Sequence, residues 1–247
     1  MSTNTPYEAL DFHVWGDYAL FTDPMTSLSG ELCSYQIPTF SALRGIAESI
    51  YWKPTISWRP VAVRIMNPIR FEARAKKLPN FYTTGCDLGY RTYLRNVSYQ
   101  VRVALEWSND TRYEEDRNFA KHINSARRWL KRGGRMPIVL GTSDCMGFVE
   151  PCDFESHAGY YDDIDMSMGL MFHSHTYANQ AYNKETTGKL TTNMWACDMH
   201  NGIVTFPEAK DCPIHRILHD AKPIWVNPSH LPDQKGQRKE RVHESVK

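Results

Sequence analysis

From Val97 to Trp107 the chain alternates without a break. Val97, Tyr99, Val101, Val103, Leu105 and Trp107 are apolar, and Ser98, Gln100, Arg102, Ala104 and Glu106 between them are polar or small. In an extended chain this period of two sends every large apolar group to one side and the polar groups to the other, whereas a helix would scatter both sets around its circumference. The segment is therefore a half-buried strand, and the rest of the chain must supply a layer for its apolar face to pack on.

The flanking segments supply that layer. Leu10 to Thr22 predicts a first strand, with Gly16-Asp17 marking a bulge or kink. Thr39 is an N-cap type, and Leu43, Ile46, Ala47 and Ile50 follow at helical spacing until Pro54 stops the helix, which leaves Tyr51, Trp52 and Lys53 at its end. Val61, Val63 and Ile65 predict a second strand. The stretch 70–91 is polar, basic and turn-rich, and predicts a mobile insertion. After the alternating strand come a basic helix and a last strand at Ile138-Val139-Leu140. The order strand, helix, strand, strand, helix, strand is that of an α+β, ferredoxin-like (βαββαβ, RRM-like) domain over residues 1–141. Beyond it, 142–218 predicts an antiparallel β extension with strands near 168–172, 194–199 and 203–206, the last two joined by an Asn201-Gly202 hairpin. The tail 219–247, with three prolines and then a charged run, predicts a flexible or partner-bound segment.

Charge is balanced overall, 29 Lys and Arg against 28 Asp and Glu, but not locally. Asn118 to Arg135 carries six Lys or Arg and no acid. On a helical wheel Phe119, Ile123, Ala126 and Leu130 form an apolar face, Arg117, Lys121, Arg128 and Arg132 lie opposite, and His122 and Trp129 lie on the border. Gly133-Gly134 stops the helix. A basic stripe beside an imidazole suits a polyanion held next to a group that moves protons. No apolar run approaches the ~20 residues of a membrane span, and the polar start MSTNTPYE lacks the pattern of a signal peptide. The expectation is a cytoplasmic protein with no membrane partner.

Cleaving RNA without a metal requires a base for the 2′-hydroxyl, an acid for the leaving 5′-oxygen and positive charge at the phosphate. His122, Lys121 and a tyrosine hydroxyl can supply these. A metal centre is less well supported. His173 and His175 lie two apart on a predicted strand, near Cys145, Cys152, Cys197, His200 and Cys212, but no pair has the spacing of known zinc sites. Asp162, Asp163 and Asp165 read as a solvated turn. No metal or other cofactor is expected, and the six cysteines read as free thiols.

Several segments resemble one known family. Trp15 to Pro24 (WGDYALFTDP), Gly45 to Pro54 (GIAESIYWKP) and Tyr93 to Val97 (YLRNV) are similar to the Cas5 family of CRISPR-associated proteins, in its subtype I-C (Dvulg) branch of the RAMP superfamily. Gly133-Gly134-Arg135, Leu140-Gly141, Glu150-Pro151-Cys152, Gly159 to Asp163 and Asn201-Gly202 add to the resemblance. It implies an antiviral-defence protein that cuts precursor CRISPR RNA within each repeat without metal, leaving a 2′,3′-cyclic phosphate and a 5′-hydroxyl. The protein would then hold the guide's 5′ handle in a surveillance complex with backbone and large subunits. The family's catalytic tyrosine falls on Tyr51 and its Lys-His pair on Lys121-His122. RNA-backbone contacts are expected from Arg128, Arg132, Gly133, Gly134 and Arg135, and from Arg70, Arg74, Lys76 and Lys77 in the insertion. Two alternatives stay open: a non-catalytic scaffold that only binds the 5′ handle, and a role in binding double-stranded DNA. In an ideal βαββαβ unit a 13-residue helix is about 20 Å long, which would set Tyr51 apart from the start of the second helix. Their convergence is implied by the resemblance alone.

Overall fold

The computed structural model describes residues 9–23, 26, 31–79, 85–108, 111–177, 181 and 185–220. Its elements in chain order are β1 (Ala9–Ala19), β2 (Leu32–Cys33), α1 (Phe40–Ile50), β3 (Ile56–Ile65), β4 (Phe71–Pro79), β5 (Cys86–Trp107), α2 (Phe119–Leu130), β6 (Ile138–Val139), β7 (Met146–Pro151), β8 (Met166–Thr176), β9 (Lys189–His200), β10 (Ile203–Thr205) and β11 (Ile214–Asp220). The class is α+β, mostly antiparallel sheet. All eleven strands belong to one sheet with the path β11-β9-β10-β3-β5-β1-β7-β6; β2 and β4 pair with β5, and β8 with β9.

The alternating segment is the second half of β5 and organises the whole. Its apolar side, Val97 to Leu105, is buried with Leu10, Phe12 and Val14 of β1 and with Trp58, Val63 and Ile65 of β3. Both helices close this face: α1 through Leu43, Ile46, Ala47 and Ile50, and α2 through Ile123, Ala126 and Leu130. The caps follow from residue type. Thr39 Oγ1 accepts the Ala42 N–H at 3.2 Å, and Asn118 Oδ1 accepts the Lys121 N–H at 3.0 Å. The Asn201-Gly202 turn, with φ of +50° and +75°, links β9 to β10 as predicted.

Three local expectations are corrected. The register from Gly16↔Val97 to Tyr18↔Arg95 is unshifted, so β1 has no bulge there. Gly16 serves close approach instead, since a Cβ would lie 2.7 Å from Leu140 Cδ1 and 2.8 Å from the Met146 carbonyl. The stretch 70–91 is ordered for most of its length: β4 and the first part of β5 form a ribbon in unbroken register from Phe71↔Leu94 to Pro79↔Cys86. The predicted strand at 138–140 shrinks to two residues, because Gly141 (φ +96°) turns the chain away against the Leu20 carbonyl. The place beside β1 is taken by β7, antiparallel, and β6 pairs outside it. Of the predicted tail, residues 219–220 end β11 and 221–247 lie outside the described residues. Among the described residues no helix is long and apolar enough to cross a membrane.

Candidate active site

The first residue of β3 pairs with the last of β5, Ile56↔Trp107. The segments just outside that pair, 51–55 after α1 and residues 108 and 111–118 before α2, therefore come together. The Ser108 N–H donates to the Thr55 carbonyl at 2.9 Å, and the Thr55 hydroxyl donates to Asp116 Oδ2 at 2.8 Å. This brings together two residues the ideal-helix argument kept apart. Tyr51 caps α1 in an extended conformation, held by its N–H to the Ala47 carbonyl and by Trp58 Nε1–H to its own carbonyl. His122 stands in the first turn of α2. The Tyr51 hydroxyl lies 3.0 Å from His122 Nδ1.

The sequence placed His122 on the border of its helix, yet the structure buries it completely. Trp107 meets its ring edge-on, and the Phe119 ring packs on Trp107. Both ring nitrogens are occupied. Nε2 lies 2.9 Å from the Asp116 carbonyl oxygen, which can only accept, so Nε2 carries the proton. In the neutral ring Nδ1 is then an acceptor, and the Tyr51 hydroxyl donates to it. Burial pushes the Tyr51 phenol above its ordinary range. The Ser125 hydroxyl and the charges of Lys121 and Arg135 oppose that shift, and Asp116 adds to it. Tyr51 thus stays protonated at neutral pH.

Lys121 is exposed and forms an ion pair with Asp116 Oδ1. The hydrogen bond from Lys121, then that from Thr55, lowers the Asp116 pKa, and the same bond to Asp116 raises that of Lys121. The positive end of α2 adds to the local field. Asp116, Thr55 and Ser125 were not singled out from sequence. The signal for Asp116 was present: the run Glu114-Glu115-Asp116 immediately precedes a basic helix without acids of its own.

The remaining expected residues divide by location. Arg128, Arg132 and Arg135 are exposed, with Arg128 bonded to the Ser125 hydroxyl and Arg132 stacked on Trp129. Gly133 (φ +83°) and Gly134 (φ +102°) make the turn that carries Arg135 back to the end of α1, where its N–H meets the Ser49 and Ile50 carbonyls. Arg70 and Lys77 are exposed at the ribbon. Arg74 pairs with Glu72 and stacks on Tyr18, and Lys76 pairs with Asp144.

Among the described residues no three His, Cys, Asp or Glu side chains are placed to hold a metal ion. His173 and His175 part company because β8 bulges between Phe172 and Ser174: His173 is buried against Phe40, and His175 is exposed. Asp162 is a bidentate partner of the buried Arg64, and Asp165 accepts the Asn201 N–H.

Residues 9–207 match the Cas5d form of the family described as CRISPR-associated protein (Cas_Cas5). The chain belongs to this family. A Mannheimia succiniciproducens protein named CRISPR pre-crRNA endoribonuclease Cas5d is 30% identical over 175 residues, 62% of this chain and 72% of the relative. A Thermus thermophilus protein of the same name is 27% identical over 191 residues, 73% of this chain and 79% of the relative. A crystal structure of a CRISPR-associated protein superposes with a TM-score of 0.70 at 29% identity, covering 85% of this chain and 97% of that one. A functionally uncharacterized Streptococcus mutans protein matches with the same TM-score and coverage at 30% identity. The family resemblance read from the sequence is borne out.

Proposed function

We propose that this protein is an endoribonuclease that cuts precursor CRISPR RNA within the repeat and keeps the 5′ handle of the guide in a type I-C surveillance complex. The observation that carries the reading is the hydrogen-bonded chain from Tyr51 through His122 to Asp116, next to the exposed Lys121. The family membership and the names of the two relatives support it. The platform is read as a ferredoxin-like unit built from the chain up to residue 141, with β7 (Met146–Pro151) supplying the fourth strand from beyond it and the rest of 142–218 as a β extension.

His122 is fully buried, so it acts through Tyr51 and not on RNA directly. The 2′-hydroxyl gives its proton to the Tyr51 oxygen as Tyr51 passes its own to His122 Nδ1. The 2′-oxygen attacks the phosphorus, and the P–O bond to the 5′-oxygen breaks, giving a 2′,3′-cyclic phosphate and, once that oxygen is protonated, a 5′-hydroxyl. The imidazolium formed on His122 is stabilised by Asp116, whose Oδ2 lies 3.4 Å from Nε2. Lys121 leaves its ion pair with Asp116 to neutralise the phosphate. The 2′-hydroxyl proton thus ends on His122, and the leaving 5′-oxygen takes its proton from solvent water. Arg128, Arg132 and Arg135 hold the backbone next to the cut, with Arg70, Arg74, Lys76 and Lys77 on the ribbon as outer contacts. The guide RNA and the other subunits of the complex are the proposed partners.

The test is cleavage of an end-labelled repeat hairpin in excess EDTA. Cutting at one site, with a cyclic phosphate on the upstream product, is expected. Tight binding with no cutting, at any metal concentration, would leave the scaffold reading in its place.

A further inference from the structure

α1 ends on two aromatic residues with opposite orientations. Tyr51 is extended (φ −159°, ψ 129°) and turns inward, 4% exposed; the next residue, Trp52, turns outward and is 45% exposed. Trp52 walls an open cleft of about 760 Å³, completed on its apolar side by Pro54, Met136, Pro137 and Val139. Arg135 belongs to both places. It lines the cleft, its guanidinium reaches the Trp52 carbonyl at 3.5 Å, and its charge acts on the Tyr51 hydroxyl. The one acid among the lining residues, Glu48, is paired with Arg44 at 3.0 Å, so Lys53 and Arg135 leave the rim positive.

We infer that this cleft receives one nucleobase of the repeat RNA, from the nucleotide next to the scissile phosphate, stacked on Trp52 with Arg135 on the intervening phosphate. The RNA-cleavage reading supplies the class of ligand. The cleft supplies a flat aromatic face, apolar walls and a cationic rim one residue from Tyr51. A splayed-out base beside its phosphate presents the matching surfaces. An apolar side chain of a protein partner would use the walls but has no use for the two cations.

The experiment measures the affinity of the full chain for a repeat hairpin made uncleavable by a 2′-deoxy sugar at the cut, with single abasic positions scanned through the repeat. Stacking of one base predicts a loss of roughly 5- to 100-fold for Trp52→Ala, and a loss within about threefold for Trp52→Phe, which keeps a stacking face. One abasic position beside the cut should weaken the wild type by a similar factor and leave Trp52→Ala unaffected. Trp52→Ala binding as tightly as wild type overturns the inference and makes a protein partner the better occupant. Abasic penalties equal in both proteins overturn it as well. Wild-type cleavage separates the two readings: binding that depends on Trp52 without cutting sinks only the nuclease, and cutting that is indifferent to Trp52 sinks only the cleft. A wild type that binds no RNA sinks both.

Discussion

Tyr51→Phe removes one oxygen from a residue that is 4% exposed and leaves the ring in its packing. What disappears is the donation to His122 Nδ1 at 3.0 Å, which leaves that nitrogen a buried acceptor without a partner. Such a loss costs about 1–3 kcal/mol, or roughly 2–12 °C in melting temperature for a domain of this size. A domain with the usual ~5–15 kcal/mol of stability stays folded at 25 °C. A tyrosine that only packs would therefore leave the cleavage rate of the folded variant unchanged. A tyrosine that relays the proton takes general acid–base catalysis with it, a factor of about 10²–10⁴, or ~3–5 kcal/mol of barrier. Single-turnover cleavage of repeat RNA at 25 °C, with protein in saturating excess, separates the cases when melting temperature and RNA affinity are measured alongside. A folded Tyr51→Phe that binds normally and cuts within about threefold of wild type would refute the relay. His122→Ala is the poorer experiment. It empties a fully buried site and removes the ring partner of both the Tyr51 hydroxyl and the Asp116 carbonyl, so lost chemistry and lost structure arrive together.

Asp116→Asn frees Lys121 for phosphate, and should tighten RNA binding up to about fivefold while slowing cleavage about tenfold or more through the less stabilised imidazolium; weaker binding by filter assay would contradict the account. Arg128→Ala with Arg132→Ala should lower the slope of log affinity against log salt by about 1.4, near 0.7 for each lost single-strand contact, and an unchanged slope would remove both from the interface. Burial pushes the His173 imidazole down from 6.5 to about 4, so from pH 6.5 downward the unfolded chain takes up a proton the folded one refuses. Stability should fall by about 3 kcal/mol between pH 6.5 and 4 and then level off for this group; His173→Gln should flatten that part of the curve, and urea midpoints with the same pH slope in both proteins would exclude His173 as the cause.

What was legible in the sequence is what depends on neighbours along the chain. The period of β5, the cap at Thr39 and the Asn201-Gly202 turn are local choices, and each is found where it was read. Gly16 misled because its reason lies 124 positions away, at Leu140. The ribbon of β4 and β5 misled because it is exposed along most of its length and has no apolar period to detect. His173 and His175 looked like a pair because a period of two assumes no bulge, and one extra residue in β8 reverses the second of them. The site was half legible. Lys121 and His122 stand out by charge, but only strand register says that the end of α1 meets the start of α2. Helix length was the wrong ruler for that question: in this topology the relevant ends are tied through the Ile56↔Trp107 pair.

That pair also sets a clock. Tyr51 and His122 are 71 residues apart along the chain, and neither helix by itself brings them within reach. Non-local strand pairing is the slow, entropically expensive part of folding, so the proton relay closes only after the central strands have found their register. A one-residue slip of β3 on β5 would move Tyr51 by about 3.3 Å and break the contact while leaving both helices intact. Under the proposed relay, a chain still on the ribosome, or one misthreaded after stress, would not cut RNA, and the first cut a molecule makes would certify that its sheet was assembled correctly.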